Sequence, residues 1–411
     1  MARRTFGLRS GVARFALVCA VASVSSLIAT AGWSQSLNWL GTLGGRWSYA
    51  YGVSADGSVV VGVASNAAGY YRAFRWTATG GMVDLGTLDG ANSEARGVSA
   101  DGSVVVGVAS NDAGQPRAFR WTEEGMQDLG TLGGRWSYAY GVSADGSVVV
   151  GVASNAAGYG RAFRWTATGG MVDLGMLGSD RSIAYGVSAD GSVVVGVASN
   201  AAGYYRAFRW TEEGMQDLDT LGSSWSMAYG VSADGSVVVG EVRNAIGHYR
   251  AFRWTEEGMQ DLGTLGGSWS YAYGVSADGS VVVGYAYNAA GYGRAFRWTP
   301  EGGMEDLNQT YASLLTDGSV LVVARAISPD GRYIVGQGYN AATRRYEAFM
   351  LYTGFPPHGD VDRNGSVDDT DLLRVLFVFG ERGYRNEDIN WDGRIDDADL
   401  LVVLLNFGSG C

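Results

Sequence analysis

The sequence predicts an all-β chain, a seven-bladed β-propeller closed by its own N-terminal strand, followed by a small α-helical unit. Three observations carry that prediction. The segment GVSADGSVVVG begins at Gly52, Gly97, Gly141, Gly186, Gly230 and Gly274, and a divergent seventh copy, AISPDGRYIVG, begins at Ala326. The first six copies are 44 or 45 residues apart, a period typical of propellers and related repeat arrays. Each unit reads as four short strands joined by tight links, and the two ends of the array complement one another.

Within a unit, strand one stops at an Asp-Gly pair such as Asp56-Gly57, a strong hairpin signal. Strand two, Ser58–Val63, is apolar at successive positions, as expected of a strand covered on both faces. Strand three is RAFRW, with Phe74 and Trp76 on one face and Ala73 and Arg75 on the other. Strand four, Met82–Leu88, follows a TATGG or TEEG turn. Short links between consecutive strands make an antiparallel meander, the form of a propeller blade. Residues 42–70 and 131–159 are identical, so the copies have hardly diverged.

Strands one to three occur seven times, the last set ending at residues 349–352. Strand four follows its own blade six times, and a seventh copy, Leu37–Leu43, precedes the first blade. Closure of a ring needs that arrangement, because the N-terminal strand then covers the last sheet edge. An open β-solenoid would not require the count to close.

Residues 1–31 read as a secretory signal peptide: Arg3, Arg4, Arg9 and Arg14, then an apolar run over 15–28 and a small-residue site at Ala29-Thr30-Ala31. The expected domains are then 37–353 for the repeats, 354–359 for a Pro-containing link, and 360–411 for the tail. No later segment is long and apolar enough to span a bilayer. The formal charge of −11 becomes −15 once the four signal arginines are removed. Such a surface argues against nucleic-acid binding, which needs a basic footprint. Beyond the signal the chain has one cysteine, Cys411, which has no intrachain partner for a disulfide.

The tail holds two twelve-residue loops that start 28 residues apart. Asp360, Asp362, Asn364, Ser366, Asp368 and Asp371 occupy positions 1, 3, 5, 7, 9 and 12 of the first; Asp388, Asn390, Asp392, Arg394, Asp396 and Asp399 do so in the second. Gly365 and Gly393 stand at position 6, where the chain must turn sharply. Oxygen ligands at these positions, with a backbone carbonyl at 7, make the hard-cation cage of an EF-hand-like loop, so two Ca²⁺ sites are expected. Mg²⁺ fits less well, because it demands near-octahedral geometry. The carboxylates of one loop repel each other without a cation, so folding of the tail should be coupled to the metal. Apolar helical stretches are expected at 372–379 and 400–407.

The repeats resemble the HAF-family extracellular repeat over residues 37–352. The resemblance rests on A-F-x-W, on G-M-x-D-L-G-T-L-G-G, and on ARAISPDGRYIVG at Ala324–Gly336. Arg72, Arg117, Arg161, Arg206, Arg250 and Arg294 stand where the family has His. The tail resembles a type I dockerin over residues 359–407, with Asp371 and Asp399 at position 12 in place of the usual EF-hand Glu. That resemblance implies Ca²⁺-dependent docking onto a cohesin-like protein or a cell-surface component. It carries recognition positions 10 and 11 onto Asp369, Thr370, Asp397 and Ala398. Asp369 and Asp397 depart from the Ser or Thr that members often carry there.

Catalytic residues are not expected. His248 and His358 lack a Ser or Cys partner, and no nucleophile-elbow or zinc-protease motif occurs. A glycosidase needs two carboxylates in contrasting environments; in near-identical blades only deviant residues such as Asp180, Asp219 or Glu241 could supply them. The repeated Asp-Gly aspartates read as turn residues. Asp84 and its equivalents read as turn caps or partners of the strand-three arginines. One end of the ring should gather Trp47, Tyr49, Tyr51, Tyr70 and Tyr71 with their equivalents, either as a sugar-stacking or protein-binding surface or as packing. The expectation is therefore an exported, non-catalytic binding or display protein, secreted or at the cell surface. The alternative is a component of polysaccharide degradation, either a glycoside hydrolase or a carbohydrate-binding accessory.

Overall fold

The computed structural model describes residues 35–354 and 357–410. The signal-peptide expectation for residues 1–31, Cys411 and part of the 354–359 link lie outside them.

The chain is mostly β. The described strands form five four-stranded antiparallel sheets and one eight-stranded sheet. The first repeat is typical: Gly44–Val53, Val59–Asn66, Tyr71–Thr77 and Gly81–Asp84 pair in chain order. As expected, Val59–Asn66 is buried along nearly its whole length. Two strands are shorter than the sequence suggested. The fourth strand ends at Asp84 rather than Leu88, because the Asp84 carboxylate accepts the Gly86 N–H at 2.8 Å and bends the chain. The N-terminal strand is Ser36–Trp39 rather than Leu37–Leu43.

Gly62 explains why each second strand has a glycine after its apolar run, VVVG in six copies and YIVG in the last. A Cβ there would collide with the Tyr49 carbonyl oxygen across the pair, and Gly107, Gly151, Gly196, Gly240, Gly284 and Gly336 are hemmed in alike. The contact lies beside a bulge between the Ala50 and Gly52 pairs, which strengthens the local twist.

Successive sheets pack face to face through a repeated set. Phe163, fully buried, joins Val104, Val106, Leu129 and Val149 from two adjoining repeats. Two hydrogen-bond systems tie neighbours together. The buried Ser93 hydroxyl accepts the Ala73 N–H at 3.0 Å, and Ser137, Ser182, Ser226 and Ser270 do the same for the preceding repeat. Between the Asp-Gly turns, Ala55 N–H donates to the Ala100 carbonyl, and the pattern continues through Ala144, Ala189, Ala233 and Ala277 to Pro329.

The last repeat, Val320–Ile327, Tyr333–Asn340 and Arg345–Tyr352, takes its fourth strand from Ser36–Trp39, with Leu37 opposite Leu351. It also meets the first repeat. Ala348 N–H donates to Ser48 at 2.8 Å, the same bond found between other neighbours. The short helix α1, Leu307–Thr310, precedes this repeat, capped by Asp306.

Beyond residue 357 lie α2, Asp369–Phe377, and α3, Asp397–Leu405. Both start three residues before the apolar run suggested, because Asp368 and Asp396 cap them in capping boxes with Asp371 and Asp399. Val361, Val367, Val375, Ile395 and Val403 make their shared core. Among the described residues, no helix is long and apolar enough to cross a membrane.

Candidate functional site

The capping boxes place the position-12 carboxylates at the floor of each loop. Asp371, fully buried, accepts the N–H groups of Val361 at 2.7 Å, Asp362 at 3.0 Å and Asp368 at 2.8 Å. Asp399 accepts those of Ile389, Asn390 and Asp396 at 2.7, 3.1 and 2.9 Å. At position 1, one oxygen of Asp360 accepts Gly365 N–H at 2.9 Å, while the other is buried with no hydrogen-bond partner. Oxygens of Asp360, Asp362 and Asp371 lie within 4.8 Å of one another.

Burial, then the charges of Asp371 and Asp362, push the Asp360 carboxyl up to about 6. Burial, then Asp399 and Asp392, push Asp388 up to about 7. Both are signs of carboxylates crowded without a counter-charge. A hard cation fits this donor set. It would give the orphan oxygen of Asp360 a partner and relieve the repulsion, and an all-oxygen cage suits Ca²⁺ rather than a thiophilic metal.

Asn364 and Ser366 lie on the outer arc of the first loop, joined by a 2.7 Å bond. Asp368 and Asp396 serve as helix caps, accepting Thr370 and Ala398 N–H groups at 2.8 and 2.9 Å. In the second loop Asn390 and Asp392 bond to each other, and Asp392 also supports Arg394. There Asn390 replaces one of the three carboxylates that the first loop gathers.

The four positions 10 and 11, Asp369, Thr370, Asp397 and Ala398, are all exposed. Beside them an apolar surface recurs at the loop spacing. Leu373, Leu376, Phe377 and Phe379 of the first half match Leu401, Leu404, Leu405 and Phe407 of the second, and all are exposed. Phe377 reaches 81% and Leu405 74%.

The loops face the other way, onto the repeats. Position 4 of each carries a residue in the left-handed region, Arg363 at φ 59° and Trp391 at φ 60°. Arg363 pairs with Asp278 at 2.8 Å and donates to Ser280 at 3.0 Å. Trp391 is buried, lies parallel to Tyr384 with ring centroids 6.3 Å apart, and caps a cavity lined by Ala55, Ala100, Ala144, Ala189, Ala233 and Ala277. Arg382 and Arg394 flank a cleft opposite Asp190 and Asp234. Sequence reasoning missed this seat, whose signal was basic residues placed among the tail's acidic ones.

The repeated aspartates act as expected. Asp56 accepts Ser54 and Ser58, and Asp84, Asp128, Asp173 and Asp217 pair with Arg72, Arg117, Arg161 and Arg206 at 3.5, 3.0, 3.0 and 3.1 Å. The aromatic residues divide. Trp47, Tyr49 and Tyr71 line a groove between two repeats, and Trp136, Tyr138 and Tyr159 line another. Tyr140, which also lines the second groove, stands side by side with Tyr185, Tyr229 and Tyr273, with centroids 5.1 to 5.5 Å apart.

No family model and no curated protein matches the chain. Solved structures similar to it include TolB from Acinetobacter baumannii, 12% identical with a TM-score of 0.41 over 76% of this chain and 65% of that one. The chain thus spans just under two thirds of that protein. A putative TolB from Agrobacterium tumefaciens is 15% identical, TM-score 0.41, covering 75% and 90%. Kuenenia stuttgartiensis hydrazine synthase is 13% identical, TM-score 0.43, covering 75% and 95%.

Proposed function

We propose that the chain is an exported, non-catalytic display protein, a closed seven-bladed propeller carrying a Ca²⁺-loaded dockerin-like module that docks onto a cohesin-like partner. Closure is supported by the Ala348–Ser48 bond and by the last sheet's borrowed N-terminal strand. Two Ca²⁺ ions would be held by the first loop, around Asp360, Asp362 and Asp371, and by the second, around Asp388, Asp392 and Asp399. Bound there, they would supply the positive charge that lets the loops keep their fold.

One observation carries the docking reading, namely the exposed apolar surface repeated at a 28-residue offset. Monomers seldom expose large contiguous apolar patches. Because the loops are turned toward the repeats, the helices and positions 10 and 11 are left free for a partner. The duplication offers that partner two equivalent approaches.

Surface plasmon resonance of the full chain over a panel of immobilised cohesin domains tests this reading. Binding to at least one, abolished by EGTA and weakened at least tenfold by Phe377→Ser with Leu405→Ser, is expected. Silence across the panel, or binding indifferent to EGTA, would refute it.

A second reading has its own support. The Trp47–Tyr71 groove, a cavity of about 420 Å³, has the aromatic walls on which sugars stack. It would make the propeller a carbohydrate-binding accessory of polysaccharide degradation.

A further inference from the structure

The first strands of the repeats converge on a central chamber of about 290 Å³. Its wall is mostly Gly, Val and Ala, the small residues that a crowded axis requires. At the residue just before each conserved glycine the repeats present Tyr51, Arg96, Tyr140, Tyr185, Tyr229 and Tyr273, and in the last copy Arg325 precedes Ala326 at that place. Two arginines therefore interrupt a run of tyrosines, and they flank Tyr51 on either side. Arg96 lies 4.4 Å and Arg325 5.9 Å from the Tyr51 ring centre, and Arg325 also stacks 4.2 Å from Tyr273. The two guanidiniums are thus within about 10 Å of each other, as those two distances require.

Both arginines line the chamber, and no acidic residue does. In a chain of formal charge −11 that is a local reversal of sign. Arg96 is partly balanced by Glu94 at 2.9 Å, which lies outside the chamber wall. Arg325 has no ion pair within 4.0 Å among the described residues, and the Nε–H groups of both arginines are buried without an acceptor. Glu241, from the adjoining strand layer, faces Arg325 electrostatically but is held up at about 7 by burial, so it is a weak counter-ion. Buried donors on charged groups are costly to leave unmatched, and a planar guanidinium fork matches a carboxylate in particular.

We infer that the central chamber is a binding site for a small organic carboxylate, bound by the guanidiniums of Arg96 and Arg325 that line the chamber on either side of Tyr51. Trp391 closes the chamber at the tail side. Tyr51 also lines the aromatic groove. The site is independent of any partner of the tail.

Calorimetry on the full chain in Ca²⁺, with sodium glucuronate, glucose and inorganic phosphate as separate probes, tests the inference. Glucuronate should bind and glucose should not. Arg325→Met and Arg96→Met should each weaken glucuronate at least tenfold, while Arg325→Lys retains part of the affinity and all three variants keep the parent's melting temperature to within a few degrees. Equal binding of glucose and glucuronate, binding of phosphate alone, no binding of any probe, or undiminished affinity in the Met variants would each overturn it. If only the folded-state check fails for a Met variant, loss of glucuronate binding in the intact chain on adding guanidinium chloride at low, non-denaturing concentration supports the inference, and its persistence overturns it.

Discussion

Glu241 stands where four other repeats carry Val63, Val108, Val152 and Val197. It is buried and accepts the Tyr229 hydroxyl at 2.7 Å. Burial raises its carboxyl from 4.5 to about 7, despite that bond and the nearby Arg325. The folded state therefore holds the proton more tightly than the unfolded chain does. The stability this gives is full below about pH 4.5 and is lost as pH rises to about 7. At 1.36 kcal/mol per unit, the whole span is on the order of 3 kcal/mol. Glu241→Gln should lose that part of the slope and gain stability at pH 8 relative to pH 5, compared with the parent by urea denaturation. Identical slopes in the two proteins would contradict the burial argument. The arginine–aspartate pairs and the loop aspartates were legible from residue type and spacing. Arg96 and Arg325 were legible only as departures within a column otherwise made of tyrosine, and Glu94 stands in a column that varies from repeat to repeat.

At the scale of elements, the hairpins were readable because Asp-Gly turns and a run of valines fix both their ends and their burial. Element ends were misjudged where a side chain, not the apolar pattern, stops the backbone. Asp84 ends a strand early, and Asp368 begins a helix early. The serine of each Gly-x-x-Ser stretch was overlooked, since a buried serine has no periodic signature. Yet Ser48 bonds across the join of the last and first repeats. Ser48→Ala leaves the Ala348 N–H buried and unmatched, which should cost about 1–3 kcal/mol. Ser137→Ala, which strands Ala118 in the same way, should cost about as much. Chemical denaturation of both variants checks this, and a negligible loss only for Ser48→Ala would show that the join is not a working seam. Pro329 makes that join special in another respect. It has no N–H to donate, so the chain of turn-to-turn bonds running from Ala55 stops there.

The molecule as a whole puts its acidic tail against a surface that also carries aspartates, and the structure shows how. Arg363, Arg382 and Arg394 turn toward Asp278, Asp190 and Asp234, while Trp391 covers the central chamber. Beyond the basic residues that stand among the tail's acidic ones, this seat could not be read from the sequence, because it depends on packing between segments more than 80 residues apart. The four-stranded antiparallel sheets and the small helical tail could be. Position 4 of each loop makes the contact, so the proposed cation, by ordering the loops, would fix the tail in its seat.

The loops bear the most weight, and calcium calorimetry on the full chain tests them most directly. Two binding events per chain are predicted, reduced to none by Asp360→Ala combined with Asp388→Ala. A flat titration of the parent chain, or an unchanged one in the double variant, would contradict the account.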